Sequence, residues 1–391
     1  VTGPQQVIGG GRVVTPEGIL DPGWVVVRND VIESVHATAP QTATTAVTAG
    51  RPTTRRATDT AGCWLLPGFV DLHCHGGGGA SYADGDTERL AAAVTAHRRH
   101  GTTTTLASLV SRPLPELIEQ IGRLADLVDD GLLAGIHLEG PFISSARCGA
   151  HDAAVLCPPD RTAVARLLDA GRGTIRMVTI APELEGGIDA VRQLSDAGVI
   201  AAIGHTDGDD ARIRAAVDAG ATVATHLFNQ MPPLHHRDPG PVGALLDDDR
   251  VNVELICDLV LVHPTMVRIA ARHAGPERTV LVTDAMAAAA YGDGRFMLGT
   301  LPVTVRKGRA TVDGTGVLAA STLTLDAAVR NFVRDCGMTV RQAVAAASER
   351  PAHLLGQSGR IGAIQPGAAA DFAVLDENLH LKRVMHQGRW I

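Results

Sequence analysis

Eight short apolar runs, separated by longer amphipathic stretches, constrain this 391-residue chain more than any other feature. They occupy 65–75, 102–109, 133–138, 175–180, 199–203, 222–227, 251–256 and 279–283. Between several of them the apolar spacing predicts helices, over 87–100, 115–128, 160–168, 187–197 and 209–219, with Gly101, Gly171, Gly198 and Gly220 placed to end them. Strand-length runs alternating with helices are the signature of βα units around a parallel sheet. Eight such units over about 250 residues predict an α/β fold closed as a (β/α)8, or TIM, barrel.

The flanks read differently. Strand-like runs at 6–14, 23–28 and 31–35, and again at 371–375 and 381–386, lie outside the barrel pattern, while the Ala/Thr-rich stretch 37–61 reads as an exposed loop. The expected organisation is a small β-sandwich domain built from both termini, residues 1–64 and 362–391, beside a barrel over 65–361.

Composition narrows the function. With 45% hydrophobic residues, 20% charged residues and a net charge of −7, the chain reads as a soluble globular protein. No apolar run approaches the roughly 20 residues of a bilayer-spanning helix, and Val1 to Gly10 lack a basic segment followed by an apolar one. Neither membrane insertion nor export is expected. No Lys/Arg cluster with interleaved aromatics suggests nucleic acid, so the expected partner is a small molecule. Six cysteines without CxxC pairing predict reduced thiols in a cytoplasm. All basic residues except Lys307 and Lys382 are arginine, which excludes a P-loop lysine and most Schiff-base arrangements.

Catalytic groups of such barrels stand at the C-terminal ends of the strands. Here those ends carry His73-Cys74-His75, Glu139, His205, His226 and Asp284. In an extended strand alternate side chains face the same way, so both imidazoles of the HxH can reach one point. Burying six such groups together unpaired would cost several kcal/mol, which argues for a shared cation. Imidazole and carboxylate without thiolate suit Zn²⁺, Fe²⁺, Mn²⁺ or Co²⁺, one or two per subunit. Two ions sharing Glu139 would use His73, His75 and Asp284 on one side and His205 with His226 on the other. Open positions would then activate water and polarise a carbonyl, with Asp284 as the proton shuttle, and hydrolysis of an amide is the natural reaction.

The barrel, the PGFVDLHCH start, His205, His226 and Asp284 resemble the amidohydrolase superfamily, and the finer motifs GHT, THLFNQM and LVTDAM are similar to its N-acetylglucosamine-6-phosphate deacetylases. GIHLEGPF, GAHD and the terminal IGAIQPGAAADFAVLD are similar to the same deacetylase family. That resemblance, spanning residue 10 to the C-terminus, implies a homodimeric cytoplasmic enzyme removing acetate from a 6-phosphorylated amino sugar. It implies Glu139, His205 and His226 as metal ligands, His73 and His75 as ligands of a second ion, and Asp284 as general acid/base. His151 would donate to the developing oxyanion, with Ala150, His151, Asn229, Gln230 and Arg237 as substrate contacts and the arginine reaching in from a neighbouring subunit. Many superfamily members bridge their metals with a lysine after strand four, where this chain has none.

One departure stands out. The family carries a segment like DGxH after strand seven, and this chain reads Asp258-Leu259-Val260-Leu261-Val262-His263. Leu261 cannot hydrogen-bond a sugar, and Leu259 adds bulk where a small residue is expected, so a different N-acyl or cyclic amide substrate, or weakened substrate binding, is the alternative. His263 lies two residues further on, about 6.6 Å along an extended strand. A non-catalytic scaffold is the third reading. Cys148, and His97, His100, His235, His236, His273, His353, His380 and His386, are expected to have structural or surface roles only.

Overall fold

The computed structural model describes residues 5–40 and 56–391. Eight parallel strands lie side by side in chain order: Phe69–Asp71, Thr102–Val110, Gly135–Glu139, Ile175–Ile180, Ile200–Ile203, Val223–Ala224, Asn252–Ile256 and Thr279–Val282. The last meets the first through a parallel bridge between Cys74 and Ala285, and the Asp284 N–H donates to the His73 carbonyl at 2.8 Å. The sheet thus closes into the (β/α)8 barrel. Its strands are buried on both faces, which is why they appear in the sequence as unbroken apolar runs. Helices return the chain between strands, and three begin at aspartates that cap them. The carboxylates of Asp86, Asp160 and Asp209 accept from the N–H groups of Glu88, Ala163 and Arg212 at 2.8–2.9 Å.

Both termini meet in one eight-stranded, sandwich-like sheet. Its order runs Arg389–Trp390, Leu381–His386, Phe372–Leu375, Trp64–Pro67, Gln5–Thr15, Gly18–Arg28, Val31–His36, with Arg56–Asp59 also paired to Gln5–Thr15. It encloses a separate core that includes Ile8, Val25, Leu65, Phe372 and Met385.

Four local expectations need correction. The run 65–75 is not one strand: it divides at Gly68, where a Cβ would sit 2.2 Å from Thr103 Oγ1, and its first half joins the terminal sheet. Apolar texture cannot mark that division, since both halves are buried. Gly171 is the last residue of the helix Arg161–Gly171, and it is Arg172, at φ 48°, that takes the left-handed cap. The stretch 37–61 is not loop throughout, because Arg56–Asp59 pairs in parallel with Gln6–Gly9; residues 41–55 of it lie outside the described part. Finally, an antiparallel sheet of Gly294–Leu298, Leu301–Arg306 and Arg309–Val312 interrupts the barrel pattern after its eighth strand. Its inner side packs Leu298, Val303 and Val305 against Met286 and Val110 at the barrel mouth.

Candidate metal and active site

The polar residues of the mouth stand where strands give way to loops. His205, His226 and Asp284 have φ of 48°, 28° and 47°. Such left-handed conformations cost about 1–3 kcal/mol each and persist where the surroundings enforce them. Around them the geometry is compact. Glu139 Oε1 lies 3.0 Å from His205 Nε2, 2.9 Å from His226 Nε2 and 3.6 Å from His73 Nε2. Glu139 Oε2 and Asp284 Oδ1 each lie 3.2 Å from His75 Nε2. All six residues are buried and divide into two ligand groups, His73–His75–Glu139–Asp284 and Glu139–His205–His226, with Glu139 in common.

The outer nitrogens decide what the inner ones offer. His75 Nδ1 faces the Ser108 carbonyl at 3.2 Å and His205 Nδ1 the Arg147 carbonyl at 2.8 Å. A carbonyl can only accept, so each Nδ1 carries hydrogen and each Nε2 lone pair points inward at carboxylate oxygens. Lone pairs that close repel unless a proton or a metal ion sits between them. Two atoms bound to one tetrahedral ion at about 2.1 Å are about 3.4 Å apart, so the observed spacings suit a divalent cation. This donor set fits such a metal.

Without the ion, protons take its place. Burial alone would lower the His75 pKa, but hydrogen bonds to Asp284 and Glu139 outweigh it and push the imidazole up to about 9. His73 is raised as well, Glu139 and Asp284 overcoming its burial. A raised folded-state pKa contributes stability that is complete below about 6.5 and lost as pH climbs through about 9. Metal-free protein is therefore expected to melt at a lower temperature at pH 9 than at pH 6.5. Metal must displace the His75 proton, so affinity at this centre should fall about thirtyfold between pH 8 and pH 6.5, measured by metal titration. A pH-independent affinity would contradict the protonated state.

His151 is placed differently from the ligands. Its Nδ1 accepts the Ser111 backbone N–H at 3.3 Å, so Nε2 carries the hydrogen and lies 3.3 Å from Glu139 Oε2. It is thus a donor at the edge of the cluster. Beside them lies a cavity of about 260 Å³, lined by every ligand except His73, by His151, and by Ala150, Asn229, Gln230, Leu261, Leu298, Leu318 and Ala320. Arg237 is not among the lining residues. It is exposed, its Nη1 2.8 Å from His236 Nε2.

The loop after strand seven is a tight turn rather than extended chain. Asp258 Oδ1 accepts from the N–H groups of Val260 and Leu261 at 2.9 and 2.8 Å, and Leu259 has φ 65°. Leu259 does not line the cavity, so what a leucine imposes there is backbone strain, not the bulk against a ligand expected from the sequence. His263 is exposed and caps the helix Pro264–Ala274, accepting the Thr265 N–H on Nδ1 at 3.2 Å.

Several residues at or beneath the site stand outside the motifs or, like His137 of GIHLEGPF, inside one without an assigned role. Leu298 and Leu318 arrive from the inserted sheet and its following loop. His137 is fully buried beneath the ligands, each of its nitrogens 2.9 Å from a hydroxyl, Ser108 or Thr179, and burial holds its pKa well down. Glu254 is the one that sequence could have flagged, as a charge inside an apolar run. A third buried group, Asp71–Cys74–His97, is already engaged: Asp71 accepts from Thr283 and the His73 N–H, and His97 Nε2 donates to the Gly76 carbonyl at 2.8 Å.

Residues 64–391 match the amidohydrolase family. The chain is 38% identical to the N-acetylglucosamine-6-phosphate deacetylase of Bos taurus over 85% of this chain and 84% of that one. It is 34% identical to the N-acetylgalactosamine-6-phosphate deacetylase of Escherichia coli O157:H7 over 97% of both. Among solved structures, an Asp-to-Ala variant of the N-acetyl-D-glucosamine-6-phosphate deacetylase of Mycobacterium smegmatis, in complex with N-acetyl-D-glucosamine-6-phosphate, is similar over 99% of both chains, with 43% identity and a TM-score of 0.92.

Proposed function

Because the chain belongs to the amidohydrolase family, we propose that it is a metal-dependent deacetylase converting N-acetylglucosamine 6-phosphate and water to glucosamine 6-phosphate and acetate. The observation that carries this reading is the pair of ligand groups joined through Glu139, with Asp284 and the His151 donor facing one small cavity.

A divalent cation held by this set supplies Lewis-acid polarisation of the amide carbonyl and a lowered pKa for water. Zinc is our first choice, with iron, manganese or cobalt as alternatives, and two ions per chain. The protein does the rest. Asp284 accepts the proton of the attacking water and passes it to the nitrogen as the carbon–nitrogen bond breaks. His151 Nε2–H donates to the carbonyl oxygen as negative charge develops on it.

The phosphate needs a cation that the cavity lacks, since no Arg or Lys lines it among the described residues. We assign that role to Arg237 of a second copy, which makes the working form a homodimer, with Asn229 and Gln230 on the sugar. No helix among the described residues is long and apolar enough to cross a membrane, and we place the enzyme in the cytoplasm.

The test is acetate release by purified protein loaded in turn with Zn²⁺, Fe²⁺, Mn²⁺ and Co²⁺, using the glucosamine substrate, its galactosamine epimer and the sugar without phosphate. Absence of turnover with every metal would overturn the reading. Two substitutions separate the roles of the leucines. L259G should relieve the left-handed strain and stabilise the fold by about 1 kcal/mol with KM unchanged. L261H introduces a hydrogen-bonding group into the cavity wall and should lower KM about five- to tenfold. An unchanged or higher KM for L261H points to a different N-acyl substrate.

A further inference from the structure

Glu254 is a carboxyl group that the reaction as described does not use. It sits in the middle of the barrel strand Asn252–Ile256, fully buried, and does not line the cavity. Its Oε2 lies 3.4 Å from His73 Nδ1 and accepts the backbone N–H of His226 at 3.2 Å. Its Oε1 has no hydrogen-bond partner, and no Lys or Arg pairs with it, among the described residues. A glutamine would fill the same volume, and a buried carboxylate costs more than a buried amide. Packing alone therefore does not account for a glutamate here.

We propose that Glu254 is a positioning residue that sets how tightly the centre built on His73, His75 and Asp284 holds its metal, acting through His73. An imidazole that gives its outer N–H to a carboxylate is fixed in ring orientation and in tautomer, and its inner nitrogen becomes a stronger ligand. Here Oε2 performs that function for His73 and also holds the His226 backbone at φ 28°, so one atom ties a ligand of each group to the barrel wall. The two links are unequal. His73 is held through its ring, His226 only through its main chain, so losing the carboxylate weakens the first centre far more than the second.

The inference rests on the metal-dependent reading, and the experiment separates the two. Wild-type protein and E254Q are dialysed against chelators of graded strength, and retained zinc is counted by mass spectrometry, with melting of the metal-free forms measured alongside. Wild type is expected to retain two equivalents where E254Q retains one, a 10- to 100-fold weakening of the second equivalent, with the metal-free melting temperature of E254Q no lower than that of wild type. Equal retention overturns the role of Glu254 and leaves the deacetylase reading standing, as does a lower metal-free melting temperature with unchanged affinity. Wild type that binds no metal overturns both. Should E254Q not fold, histidine-labelled wild-type protein carries the test: metal loading should place the His73 ring N–H, donated to a carboxylate, further downfield than those of His75 and His205, which are donated to carbonyls. Absence of that difference counts against the proposal.

Discussion

Replacing Asp284 with asparagine is expected to lower kcat by about 10³- to 10⁴-fold while leaving KM within a few-fold of its original value. General acid–base catalysis by one positioned group contributes about 10²–10⁴, and Asp284 also contacts His75 at 3.2 Å, so its loss weakens one ligand group as well. Asparagine keeps the shape but neither takes a proton from water nor returns one to the amine. The check is a pH profile of kcat with metal content measured in parallel. If D284N retained its metal and its rate stayed within tenfold of wild type, the proton shuttle would have to be a different residue.

Substituting Glu139 with glutamine should be more damaging. Among the described residues no other side chain touches so many members of the site: its oxygens lie 2.9–3.6 Å from His73, His75, His151, His205 and His226. Burial by itself would raise its pKa, yet His73 and the surrounding imidazoles hold it well below the usual carboxylate range. A glutamine removes the negative charge and replaces one acceptor with an N–H that repels a cation. Bound metal should fall below one equivalent per chain and kcat/KM by at least about a thousandfold, since metal assistance accounts for several kcal/mol of such barriers. E139Q that kept two equivalents would show that the two ligand groups do not depend on a shared bridge.

How much of this was legible beforehand differs from residue to residue. The barrel strands were readable because a strand buried on both faces must be apolar throughout. His73 and His75 were readable because they share a face two residues apart. The division at Gly68 was not, because it depends on Thr103 and on which sheet each half joins, neither of which is encoded locally. Leu259 differs from expectation for a related reason: its place in the family's DGxH segment implied bulk against a ligand, whereas the turn fixed by Asp258 gives it φ 65° and turns the question into one of backbone strain.

The chain alone determined the periodicity, the strand ends and the chemistry of the donors, because those follow from neighbours a few residues apart. Folding decided the rest. Glu139 and His226 are 87 positions apart yet 2.9 Å from each other, and His73 and Glu254 are separated by 181 positions. Which nitrogen of each imidazole carries hydrogen depends on carbonyls and carboxyls brought from distant strands. Barrel closure creates those contacts, and no local pattern specifies them.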